Sequence, residues 1–143
     1  MASEPATLVE VTRVVDGDTV WLRTAERERI KSRLVGMDAP ESCQAHGAQA
    51  TAALQALLST GPVTAEWLGH DAYQRALVRL WVQGHDVGQT MVTQGQAWSY
   101  AWRTRTGPYD AQEARARQAG LGLFAHPRPL HPSVFRRTHG PCR

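Results

Sequence analysis

Four carboxylates sit at two turn-like junctions of this 143-residue chain. Asp16 and Asp18 flank Gly17, and Asp38 and Glu41 flank Ala39-Pro40. Each pair is carried on a short, stiff segment at the end of a β-rich run. Gathered at one end of a small barrel, four carboxylates repel one another strongly. A hard divalent cation removes that repulsion, because Ca²⁺ and Mg²⁺ take oxygen ligands from Asp and Glu. Taken singly, each residue also fits a plainer role, with Asp16 shaping a turn and Glu41 solvated. Two arginines accompany the acids. Arg33 lies five residues before Asp38, and Arg75 ends the connection Asp71-Ala72-Tyr73-Gln74-Arg75. An Arg within a strand of a small barrel needs an anionic partner or an exit to water. Its planar fork also suits bidentate phosphate binding. Trp98, Tyr100 and Trp102 form an aromatic run that either stacks on nucleobases or packs in the core.

The elements that must position these residues are short strands followed by helices alternating with strands. Leu8 to Val15 is rich in Val and Thr, as a strand requires. Asp16-Gly17-Asp18 turns it into a second strand, Thr19 to Thr24, with Val20 and Leu22 on one face and Trp21 and Arg23 on the other. Ile30 to Met37 reads as a third strand, ended by Pro40. A helix from about Gly47 to Ser59 carries an apolar stripe of Ala50, Ala53, Leu54, Leu57 and Leu58. Strands four and five are Val63 to Leu68 and Leu77 to Val82. Asp86 caps a short second helix that Gly95 stops. A third helix spans about Pro108 to Ala119. Five short strands with three helices predict an α+β, mainly β, domain built on a closed OB-type barrel. It covers residues 8–125, after a flexible N-terminus at 1–7. The segment 126–143 carries Pro127, Pro129, Pro132 and Pro141, which predicts an extended arm without regular structure.

Three stretches make the pattern specific. Val15-Asp16-Gly17-Asp18-Thr19-Val20 comes first, then Arg33-Leu34-Val35-Gly36-Met37-Asp38-Ala39-Pro40-Glu41, then Asp71-Ala72-Tyr73-Gln74-Arg75-Ala76-Leu77. In that order they resemble the signature stretches of the staphylococcal nuclease (thermonuclease) family. The likeness continues through Gly84-His85-Asp86-Val87 and Met91 to Ala97, and through Ala119 to Phe124, so it covers about Val9 to Phe124. The resemblance implies a Ca²⁺-dependent nuclease that hydrolyses DNA or RNA with low sequence preference. It implies that Asp18, Asp38 and the Ala39 carbonyl would ligate the metal, with Asp16 in its outer shell. Glu41 would be the general base or the residue that positions the attacking water. Arg33 and Arg75 would grip the phosphate, and Tyr73 would lie near phosphate or sugar. Tyr100 and Trp102 are candidate substrate contacts. The sequence departs from the family at Gln74, where Gly is usual between Tyr and Arg, and at Ala72, where some relatives carry a cation. A non-catalytic nucleic-acid-binding barrel is the alternative reading. Such modules usually lose part of the acidic and Arg set, which is complete here.

The bulk numbers agree with one soluble domain. Hydrophobic residues make up 42% and charged residues 20% of the chain, so an ordinary core is available. No apolar run approaches the ~20 residues of a membrane span, and no signal-peptide pattern opens the chain. A monomer without membrane contact is expected. The net charge of +3 slightly favours anionic partners, and Lys31 is the only lysine among the 16 basic residues. Cys43 and Cys142 admit a disulfide, free thiols, or a zinc site with His46 and His139. A disulfide would clip the arm beside the Asp38–Glu41 turn and imply a periplasmic or secreted protein, whereas free thiols would suit the cytoplasm.

Overall fold

The structure, a computed structural model, describes residues 6–101 and 106–142. Strand β1 (Thr7–Asp16) turns at Gly17 into β2 (Thr19–Arg23), which pairs with β3 (Arg29–Leu34). Strand β1 also pairs with β5 (Val63–His70), and β5 with β6 (Ala76–Val82). A parallel pairing of β3 with β6 closes these five strands into a barrel. Its interior is filled by Val20, Leu22, Leu34, Ala65, Val78 and Leu80, each at most 1% exposed. The expected alternation on the second strand holds: Val20 and Leu22 point inward, while Trp21 lies under the Arg29 guanidinium.

The third strand is shorter than the sequence suggests. It ends at Leu34, and Gly36, at φ 83°, redirects the chain into β4 (Met37–Asp38). A Cβ at Gly36 would meet the Tyr109 ring at 2.8 Å, so glycine is required here for conformation and for space. Strand β4 pairs with β8 (Trp98–Ser99), outside the barrel sheet. A short β7 (His85–Asp86) extends the barrel sheet beyond β6.

Helix α1 (Gly47–Leu58) buries Ala50, Leu54 and Leu58 on the barrel, with Ala53 and Leu57 at the edge of the same cluster. Helix α2 (Val87–Thr93) starts at Asp86, whose carboxylate accepts the Gln89 N–H. Helix α3 (Asp110–Ala119) ends at the left-handed Gly120. A 3₁₀ turn, Gly122–Ala125, brings Phe124 against Trp98.

The extended arm expected from the prolines is corrected by a fourth helix, α4 (Pro132–His139). Pro132 occupies its first turn, where a missing N–H costs nothing, and the His131 ring accepts the Ser133 N–H as the cap. The prolines delimit this helix rather than prevent it.

Candidate active site

Barrel closure brings the signature residues to one end. Across β2 and β3, Thr19 pairs with Arg33, which sets Asp18 beside the guanidinium. Across the parallel seam, Ser32 pairs with Ala76 and Arg33 with Leu77, so Arg75, in the loop just before β6, arrives on the same side of the barrel as Arg33. The Gly17 turn packs onto the Asp38 turn: a Cβ at Gly17 would lie 2.6 Å from Ala39 Cβ and 3.1 Å from Ala50 Cβ. Glycine at this position permits the close approach of two acidic turns.

The centre of the site is an ion-pair network with almost no exposure. Arg33 Nη1 lies 3.3 Å from Asp18 Oδ2, and Nη2 lies 3.5 Å from Asp38 Oδ1. The same Nη1 donates to the carbonyls of Leu34 (2.8 Å) and Met37 (3.2 Å), which ties Arg33 to both sides of the Gly36 bend. Asp18 accepts from the Ala39 N–H at 3.0 Å and from Thr19 Oγ1 at 3.0 Å. Asp16 accepts the Asp18 N–H at 3.1 Å.

These contacts divide the acids. Burial opposes ionisation of Asp18, but Arg33 and the surrounding donors hold its carboxyl below the usual range. Asp16 is pushed up to about 8 by burial and then by repulsion from Asp18. Asp38 is raised to about 6 by burial and Asp18, which outweigh Arg33 and Arg136. Arg33 is held above its ordinary value, because Asp18 and Asp38 overcome the cost of its burial. Burial and mutual repulsion therefore favour the protonated forms of Asp16 and Asp38, while Asp18 stays ionised beside Arg33.

The rim is more open. The Asp71 carboxylate accepts the N–H groups of Tyr73 and Arg75, each at 2.9 Å, and Arg75 Nε at 2.7 Å. Arg75 lies 5.7 Å over the Tyr73 ring, and Tyr73 is 81% exposed. Tyr100 is placed by its N–H bond to the Gly36 carbonyl and faces outward. Asp16, Asp18, Asp38, Glu41, Arg33 and Arg75 line one cavity of about 600 Å³, together with Tyr73 and Tyr100. Ala39 is buried beneath it. Trp102 lies outside the described residues. Trp98 is a core residue, edge-on to Phe124.

A protein-family profile described as "Staphylococcal nuclease homologue" matches residues 31–126. The chain belongs to the staphylococcal nuclease family. By that membership it is a nuclease. It is 35% identical to an uncharacterized endonuclease of Haemophilus influenzae, over 89% of this chain and 71% of that protein. It is 34% identical to a micrococcal nuclease of Shigella flexneri, over 90% of this chain and 80% of that protein. An uncharacterized endonuclease of Escherichia coli is 33% identical over 88% of this chain and 82% of its own length.

Three residues that support the site have no role assigned from the sequence alone. Arg136, on α4, lines the same cavity, and its Nη1 reaches Glu41 Oε1 at 2.5 Å. Asp71 fixes Arg75, and Gln44 supports Glu41 by accepting its N–H at 3.0 Å. The one clue to Arg136 was the possible bond between Cys43 and Cys142. Their sulfurs lie 2.08 Å apart, at disulfide bonding distance. His46 is engaged elsewhere, 2.7 Å from the Gln96 side-chain oxygen.

Gln74, noted as a departure from the family, adopts φ 62°. This is the left-handed region, where glycine is free and a side chain is strained. Among the described residues, no group of three or more Asp, Glu, His or Cys is arranged to hold a metal ion. The fit to a divalent cation rests instead on donor chemistry. The carboxylates that line the cavity offer only oxygen donors, the ligand type that a hard divalent cation takes.

Proposed function

We propose that this nuclease hydrolyses phosphodiester bonds of DNA or RNA in a Ca²⁺-dependent reaction with little sequence preference. The observation that carries the reading is the convergence of Arg33, Arg75 and four carboxylates on one cavity. Carboxylates alone suit a cation. Two arginines beside them suit an anion bound at the same place.

Asp18, Asp38 and the Ala39 carbonyl would hold Ca²⁺, with Asp16 supporting them through water. When bound, the ion supplies Lewis acidity and offsets the charge of the phosphodiester. Arg33, fixed by two carbonyls and two carboxylates, is preorganised to donate to a phosphoryl oxygen. Arg75, steadied by Asp71, approaches the same anion from the rim. Glu41 accepts a proton from the attacking water. The water oxygen bonds to phosphorus, the bond from phosphorus to the leaving sugar oxygen breaks, and that oxygen takes a proton from solvent to leave as a hydroxyl. A positioned base of this kind contributes roughly 10²–10⁴-fold. Tyr73 and Tyr100 offer faces for the sugar or bases next to the scissile bond. A covalent Cys43–Cys142 link suits an oxidising compartment, periplasmic or extracellular.

The test is direct. Incubate the protein with single-stranded DNA and RNA, with Ca²⁺ or with EGTA, and size the products. Ca²⁺-dependent cleavage that Glu41→Gln and Arg33→Ala each suppress is expected. Tight, salt-sensitive binding without turnover under any divalent cation would favour the binding-module reading instead.

A further inference from the structure

Glu41 is carried on a loop, not on a strand of the barrel. Among the described residues, its carboxylate has one hydrogen-bonded partner, Arg136. That guanidinium bridges two acids: Nη1 is 2.5 Å from Glu41 Oε1, and Nη2 is 3.8 Å from Asp38 Oδ2. A planar fork held by two carboxylates sets the position of one relative to the other.

The loop is joined to the C-terminal segment at two further points. Cys43 and Cys142 lie at bonding distance, and the Cys43 N–H points at Cys142 Sγ (3.1 Å). The Gln44 side-chain amide donates to the Leu130 carbonyl at 2.5 Å, while its oxygen accepts the Glu41 N–H at 3.0 Å. Three links thus fall within Glu41 to Gln44, all to one segment. That segment is itself anchored, since Pro132 is fully buried and the His131 ring packs on Trp98 with centroids 5.0 Å apart. On the other side, the loop is pressed against α1: a Cβ at Gly47 would lie 2.0 Å from the Glu41 carbonyl oxygen.

We propose that Arg136 is a positioning residue for Glu41, and that the Cys43–Cys142 and Gln44–Leu130 links hold α4 where Arg136 can act. This rests on the role given to Glu41 above. A water-activating carboxylate on a loop loses efficiency when its direction is free, and misplacement by about 1 Å can cost on the order of 10²-fold. The arm removes that freedom from outside the barrel.

The test is steady-state cleavage of single-stranded DNA in saturating Ca²⁺ by full-length variants, with thermal melting to confirm folding. Arg136→Gln is expected to lower kcat by about 10-fold or more with KM nearly unchanged, and Arg136→Lys to recover part of the loss. Cys142→Ser should shift kcat in the same direction by less, because two links remain. In a Glu41→Gln background, Arg136→Gln should have no further effect. Faster cleavage by Arg136→Gln would overturn the proposal and make α4 an obstruction. A change confined to KM, or an undiminished loss in the Glu41→Gln background, would overturn it too, since Arg136 would then act on substrate or metal directly. Unchanged kcat in Arg136→Gln alongside a large loss in Glu41→Gln defeats the inference alone. An unchanged rate in Glu41→Gln defeats the underlying reading of Glu41.

Discussion

The floor and the rim of the cavity are built on different principles. At the floor, Arg33 and Asp38 lie on strands and Asp18 in the turn between β1 and β2, and the three largely buried side chains pair with one another. At the rim, Glu41, Tyr73 and Arg75 come from loops: Arg75 is steadied by neighbouring Asp71 and Tyr73, and Glu41 by Arg136 of the distant α4. The floor joins stability to chemistry, because removing one charge strands the others. The rim separates them, because its residues can be lost with little effect on the core.

The comparison breaks most readily at Arg33. Arg33→Ala leaves Asp18 and Asp38 buried without their counter-charge, so a loss of about 3–5 kcal/mol is expected in urea unfolding, together with loss of cleavage. Arg75→Ala should cost on the order of 10²-fold in kcat/KM while shifting stability by less than about 1 kcal/mol. Equal stability losses in the two variants would end the distinction between floor and rim.

Gly17→Ala tests the contact that brings the acidic turns together. Its Cβ would sit 2.6 Å from Ala39 Cβ, and a destabilisation of about 1–3 kcal/mol is expected from overpacking. Cleavage should fall further than the stability change alone explains, because both turns must move apart.

The floor also predicts a pH dependence. In EGTA, Asp38 and Asp16 are raised from 3.8 to about 6 and about 8, so across roughly pH 4–8 the folded chain holds protons that the unfolded chain releases. Stability should therefore fall as pH rises through this window. The lowered Asp18 acts oppositely, but only near and below pH 4. Urea midpoints at pH 5 and pH 8 measure this fall, and Ca²⁺ should reduce it, adding about 2.7 kcal/mol at 100 times its Kd. The smallest effect is expected at the rim: Gln74→Gly relieves the left-handed strain at φ 62° and should stabilise by at most about 1 kcal/mol in urea unfolding.

Local chemistry made much of this legible in the sequence. Val20 and Leu22 alternate with Trp21, Asp86 caps its helix, and Gly120 ends another, because each depends on neighbours only a few residues away. The signature stretches carried the family and the barrel with them. The split of the third strand at Gly36 is not legible locally, because Arg29–Leu34 and Met37–Asp38 continue one β-rich run and the Tyr109 ring that packs on Gly36 is distant in sequence. The helix in the arm is not legible in its prolines, which break a helix from within, whereas Pro132 opens one without losing a hydrogen bond.

The sequence by itself determined the chemical inventory: four acids, two arginines and the strand ends that carry them. Only the tertiary structure decided how those groups differ. Asp18 is held ionised by Arg33 while Asp16 and Asp38 are raised, because burial and charge proximity are properties of the packed chain. It alone brought Arg136 to Glu41, which lies 95 residues earlier. A contact over that separation depends on the closed barrel and the docked arm, and no local pattern encodes it.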